Sequence, residues 1–155
     1  MKKICRTLLL VLMTFGLFSV ASTQSVSASS YHKGTPTTLR GHWRTKMRKV
    51  HNADHTYFWG YFYLTIKKNS FSDVGIQSGG YGAKDMSYRY AGNHTYYLKG
   101  KVDMGGGTVY PFKWKIKKIS ARKFRGLDLA NKGSKTTTWY KYSGRMSGST
   151  YYPYP

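Results

Sequence analysis

Leu39-Arg40-Gly41-His42-Trp43-Arg44-Thr45-Lys46-Met47-Arg48 alternates without interruption between two kinds of side chain. Leu39, Gly41, Trp43, Thr45 and Met47 fall on one side of an extended chain. Arg40, His42, Arg44, Lys46 and Arg48 fall on the other. Successive side chains of a strand point to opposite faces, so this stretch predicts a half-buried strand with a wet, basic side. Past the turn-like His51-Asn52-Ala53-Asp54-His55, residues 56–66 repeat the rule with aromatics. Phe58, Phe62, Leu64 and Ile66 share an expected core face, opposite Tyr57, Trp59, Tyr61 and Tyr63.

Further strands are expected at 71–77, 85–90, 94–102, 108–119, 122–130 and 135–142. In the fourth of these, Tyr110, Phe112, Trp114 and Ile116 alternate with Lys113, Lys115 and Lys117. Gly105-Gly106-Gly107 supplies a turn in which positive φ is free of steric cost. Phe62 to Ser70 and Phe112 to Ser120 both spell F-x-apolar-x-I-K-K-x-S, which two strands obeying one in/out rule explain without a repeat. No window carries helical periodicity. The expected fold is all-β, an antiparallel meander of about eight strands. Closure into a small barrel would remove its unpaired edges, and a β-sandwich is the alternative.

The 155 residues fit one ordinary domain behind a leader. Lys2, Lys3 and Arg6 precede an apolar run from Leu8 to Phe18, and small residues lead to Val26-Ser27-Ala28. That order predicts an export signal over 1–28, cut after Ala28. The apolar run is shorter than the ~20 residues a spanning helix needs. Residues 29–38 read as a flexible lead-in, 39–145 as one β domain and 146–155 as a Tyr/Pro tail. The expected location is outside the cell, free or retained at its surface.

Lys and Arg number 26 against five acids, for a net charge of +21. All five acids are Asp (Asp54, Asp73, Asp85, Asp103, Asp128), and the one Cys, Cys5, lies in the leader. A disulfide scaffold, a Cys nucleophile, a Cys-based zinc site and glutamate acid–base chemistry are therefore excluded from the domain.

Thr35-Pro36-Thr37-Thr38-Leu39-Arg40-Gly41-His42-Trp43 resembles the opening of small secreted Lys/Tyr-rich proteins of lactic acid bacteria, a group without an assigned activity. Gly41-His42-Trp43 is also similar to the G-x-W on the first strand of lipocalins and related calycin barrels. That resemblance implies a calycin-like barrel whose Trp43 closes one end against a basic residue near the last strand, here Arg145. It also implies an interior able to hold an apolar ligand, lined by Trp43, Phe58, Phe62, Leu64, Phe112 and Trp114.

The basic faces carry the functional expectation. Arg40, Arg44, Lys46 and Arg48 form one stripe, and Lys113, Lys115 and Lys117 a second. Charge this lopsided destabilises a compact chain by self-repulsion and points to a polyanionic partner. Outside a cell the candidates are anionic wall polymers, then an anionic lipid surface; secretion argues against a native nucleic-acid target. The leading expectation is a non-enzymatic envelope-associated protein. A carrier of a small apolar ligand and a membrane-active antimicrobial protein are the alternatives. His51, Asp54 and His55 fall short of the converging ligands a metal needs and read as a hairpin loop. Ser78 to Lys84 lacks phosphate-loop spacing. No paired carboxylates or nucleophile elbow appear, so neither an enzyme nor a cofactor is expected.

Overall fold

The computed structural model describes residues 30–51, 54, 56–75 and 80–144, and the backbone of 151–153. The expected leader (1–28), His55, Arg145 and most of the tail lie outside the described residues, as does the Phe58 side chain. The strands are β1 His32–Lys33, β2 Gly41–Arg44, β3 Arg48–His51, β4 Tyr57–Gly60, β5 Tyr63–Ile66 and β6 Phe71–Val74. They continue with β7 Tyr81–Tyr90, β8 Thr95–Asp103, β9 Val109–Ser120, β10 Lys123–Asp128, β11 Thr137–Tyr142 and β12 Tyr151–Pro153.

Eight of them close an up-and-down antiparallel barrel in the order β2, β5, β6, β7, β8, β9, β10, β11 and back to β2. The seam pairs Tyr140 with Arg44, Lys141 with Trp43 and Tyr142 with His42. A separate three-stranded sheet, in the order β12-β4-β3, stands outside it. The barrel reading therefore holds over the sandwich.

Two expected long strands each break in two. The pairing runs Arg44 with Tyr63 on one side of the break and Arg48 with Gly60 on the other. Three residues (45–47) thus oppose two (61–62), the geometry of a bulge, which bends a strand and shifts its alternation. Thr45 pins the break: its N–H donates to the Phe62 carbonyl at 3.0 Å, and its hydroxyl accepts from the Phe62 N–H at 3.1 Å. Beyond it Met47 is exposed rather than sharing the buried side of Trp43.

Inward side chains fill the barrel with rings. Phe71 lies 4.6 Å from Phe112 and 4.7 Å from Trp114, Trp43 lies 4.6 Å from Phe124, and Trp114 lies 6.2 Å from Trp139, centroid to centroid. Two inward glycines make room for large neighbours. A Cβ at Gly126 would meet the Trp114 ring at 2.7 Å, and one at Gly100 the Met86 sulfur at 2.6 Å.

One end of the barrel is plugged by the stretch expected to be a flexible lead-in. From Ser30 on, that segment is fixed to the wall. β1 pairs with β7, and the Gly34 N–H donates to the Met86 carbonyl at 2.6 Å. Thr35 is buried and donates to the Lys67 carbonyl at 2.7 Å. A single 3-10 turn, Thr37–Leu39, drops Leu39 into the core, where its carbonyl accepts the Trp43 indole N–H at 2.8 Å. A polar Ser/His/Lys/Gly/Thr/Pro composition concealed this, although Gly34, Thr35 and Pro36 are all buried.

Candidate functional site

The expected basic stripes fare differently. Lys113, Lys115 and Lys117 are exposed on β9, as the alternation with Phe112, Trp114 and Ile116 requires. Strand register then adds cations that no single segment reveals. Lys99 stands directly across from Lys113, Lys101 from Lys84, and Arg125 from Lys117. The outer wall over β7, β8, β9 and β10 thus holds three like-charged cross-strand pairs, with Lys115 beside Tyr97. Directly opposed like charges repel across a ladder. The wall has little internal relief: Lys101 contacts Asp85 at 3.7 Å, with both side chains mostly in water, where such a pair is weak. Lys115, Lys117 and Arg125 also line a shallow recess of about 180 Å³.

Arg40, Arg44, Lys46 and Arg48 do not form one stripe. The break at 45–47 separates them, and β2 lies diametrically across the barrel from β8. Arg40 is half-buried and donates to the Thr35 carbonyl at 2.8 Å, bracing the plug. The Arg44 guanidinium lies 4.5 Å from the Tyr61 ring centre and 5.5 Å from that of Tyr142. Arg48 stacks on Phe62 at 3.8 Å in the outer sheet, and burial lowers its pKa. Lys46 is exposed beyond the end of β2.

Of the residues expected to line a ligand cavity, Trp43, Leu64, Phe112 and Trp114 pack against one another and their neighbours as core, with Phe62 partly buried against them. Phe58 lies on β4, in the small outer sheet rather than the barrel wall. Lys141 on β11 lies 5.6 Å from the Trp43 ring centre, the kind of basic partner expected of Arg145. Asp54 accepts from the Thr56 N–H at 3.1 Å and hydroxyl at 2.6 Å, a turn that also lowers its pKa. Among the described residues no group of three His, Cys, Asp or Glu could hold a metal.

A second feature lies at the barrel end away from the plug. Asp73 shares the inward side of β6 with Phe71, Tyr81 that of β7 with Ala83, and Asp128 that of β10 with Phe124 and Gly126. Strands β6 and β10 are diametrically opposed, so the two carboxyls face each other across the mouth. One Asp73 oxygen is buried without a partner. Burial foremost pushes its pKa up to about 6; Arg48 opposes this and Asp128 reinforces it. Burial and the same two carboxylates raise the Tyr81 hydroxyl. The Trp114 indole N–H lies near that hydroxyl, enough to favour its ionised form slightly, yet no hydrogen bond of ordinary geometry joins them. Beside these groups opens an apolar cleft of about 370 Å³, lined by Tyr81, Val102, Met104, Tyr110, Pro111, Phe112, Asp128 and Ala130.

Sequence reading set Asp73 in the expected strand 71–77 and Asp128 in 122–130 without bringing the two together. Their parity with Phe71 and Phe124 was the available signal. These features define a class: a small antiparallel barrel, ring-packed inside, cationic along one outer wall and acidic at one mouth. No protein-family model, curated protein or solved structure matches the chain.

Proposed function

We propose that the protein is an exported, non-enzymatic component of the cell envelope that holds anionic wall polymers electrostatically. The binding surface is the outer wall of β7–β10, with Lys84, Lys99, Lys101, Lys113, Lys115, Lys117 and Arg125. The observation that carries this reading is the set of directly opposed cation pairs in a chain of net charge +21. A surface that repels itself is stabilised by any polymer that threads negative charge between its rows, and a phosphate repeat does so at low structural specificity. Tyr97, beneath the Arg89 guanidinium at 4.5 Å, adds flat contact area. An anionic lipid surface would satisfy the same charges. The ring-packed interior favours this outer role over carriage of an apolar ligand inside the barrel.

Cosedimentation of the purified protein with isolated walls tests it. Retention should fall steeply between about 0.1 M and about 1 M salt, as the screening length contracts from about 10 Å to about 3 Å. It should also fall on walls stripped of teichoic acid, and in a variant with Lys99, Lys113, Lys117 and Arg125 changed to Gln. Retention indifferent to salt, or equal on stripped walls, would overturn the proposal. Leakage of anionic vesicles, with none from neutral ones, would instead support the membrane-active alternative.

A further inference from the structure

At the plugged end of the barrel the turn between β7 and β8 (91–94), the turn between β9 and β10 (121–122) and the last residues of β11 form one continuous surface. The Lys118 N–H donates to the His94 carbonyl at 2.9 Å, and the Lys141 N–H to the Arg122 carbonyl at 3.0 Å. The charge there has one sign. Lys118, Arg122, Lys123 and Lys141 lie on these elements, while positions 86–102, 104–127 and 129–144 hold no acid. Asp103 and Asp128 stand at the opposite ends of β8 and β10. The same turns also expose apolar side chains. Ile119 is 48% exposed and Tyr90 42%, one on each hairpin, and Ala121 beside Arg122 is exposed too. Lys118 pairs with the inward Phe124, so alternation sets Ile119 on the outer side, near the tip of its hairpin.

We propose that this end docks on an anionic lipid bilayer. Ile119 and Tyr90 enter the boundary between headgroups and acyl chains, and Lys118, Arg122, Lys123 and Lys141 lie among the lipid phosphates. A soluble polyanion would answer the cations and leave the apolar tips in water. A neutral membrane would answer the tips and leave the cations unpaired. An anionic bilayer answers both, because apolar burial and attraction to charged headgroups add at such a surface. Tyrosine suits that depth, with an apolar ring and a polar tip; the Tyr90 hydroxyl accepts the His94 N–H at 3.1 Å, which ties the ring to the turn. The β7–β8 turn also pairs its own backbone, Ala91 N–H to the Thr95 carbonyl and Thr95 N–H to the Gly92 carbonyl, both at 2.9 Å, so it meets a drier medium with those groups satisfied. The end shares none of its residues with the polymer-binding wall, so each proposal can fail without the other.

Cosedimentation with vesicles tests it. The full chain should bind phosphatidylcholine vesicles that contain phosphatidylglycerol, and pure phosphatidylcholine at least about tenfold more weakly. Ile119→Ser should weaken binding to the anionic vesicles about fivefold, yet keep its affinity for soluble polyphosphate, since the change removes no charge. Arg122→Gln and Lys123→Gln should each weaken vesicle binding about fivefold, the effect of one basic residue at an anionic surface. Lys113 lies about 20 Å from Ile119 along β9, some two screening lengths at about 0.1 M salt, so Lys113→Gln should change affinity less than about twofold. Cys5 is the one cysteine of the chain, so a Cys5→Ser background carries a single dye at a chosen site. An environment-sensitive dye on Ile119→Cys should shift to the blue on anionic vesicles, and the same dye on Lys113→Cys should not. Absence of binding to the anionic vesicles, equal affinity for neutral ones, or a blue shift at position 113 without one at 119 would overturn the proposal. So would an Ile119→Ser variant that binds lipid as tightly as wild type, or that loses polyphosphate and lipid in equal measure. Ile119 and Arg122 are exposed, so their replacement leaves the core intact.

Discussion

Asp73 shares the inward side of β6 with the core phenylalanine two positions earlier, and burial acts on its carboxyl first. Burial raises it from the ordinary 3.8 to about 6 in the folded chain. The folded state then holds the proton more tightly than the unfolded state. The group's contribution to stability is complete below about pH 4 and is lost as pH rises through about 6. At neutral pH the ionised side chain destabilises the barrel by on the order of 2–3 kcal/mol. Asp73→Asn keeps the shape and removes the charge. It should raise the urea midpoint at about pH 7.5 and flatten the dependence of stability on pH between about 4 and 6. If wild type and variant change in parallel over that window, Asp73 is not the group responsible. In the sequence its parity with Phe71 was visible within the expected strand 71–77, but an Asp is seldom placed on an inward face.

At the scale of elements, alternation is trustworthy only between bulges. Leu39 to Arg48 reads as a single strand, yet three residues facing two at 45–47 shift its phase and send Arg48 into another sheet. Period-two counting cannot detect that slip, because the extra residue shows only once the partner strand is aligned. The uninterrupted strands β8 and β9 were legible almost to their ends, since nothing breaks the count between Leu98 and Val102 or between Phe112 and Ile116. The plug was only half legible: Leu39 was read on the buried face with Trp43, but nothing in the polar residues before it shows Gly34 and Thr35 tied to β7 and Lys67. Leu39 is fully buried in the core and stacked by hydrogen bonding onto Trp43. Leu39→Ala should therefore cost about 2–5 kcal/mol, the range for truncating a buried leucine. Chemical denaturation measures it. A cost under about 1 kcal/mol would mean that the lead-in merely rests on the barrel instead of closing it.

The molecule as a whole confines its excess charge to where the fold can bear it. Lys113, Lys115 and Lys117 were legible as one basic edge, but the wall they belong to is a product of register. Lys99 and Arg125 come from other strands, and pairing alone sets them opposite Lys113 and Lys117, as it sets Lys84 opposite Lys101. Repulsion across the ladder then couples stability to binding with opposite signs. Lys113→Glu places a carboxylate directly across from Lys99 and turns one repulsive pair into an attractive one. The fold should gain up to about 1 kcal/mol, the ceiling for an exposed cross-strand pair. The same change removes two units of positive charge from the middle of the wall, so affinity for a soluble polyphosphate should fall, with a shallower salt dependence. Thermal melts and polyphosphate titrations on the same sample read both quantities. Added polyphosphate should raise the wild-type midpoint more than that of the variant, because a partner that binds only the folded state stabilises it in proportion to occupancy. If Lys113→Glu instead bound polyphosphate as tightly as wild type while melting higher, the cation pairs would be a tolerated burden of a basic chain, and the wall would lose its claim to be the binding surface.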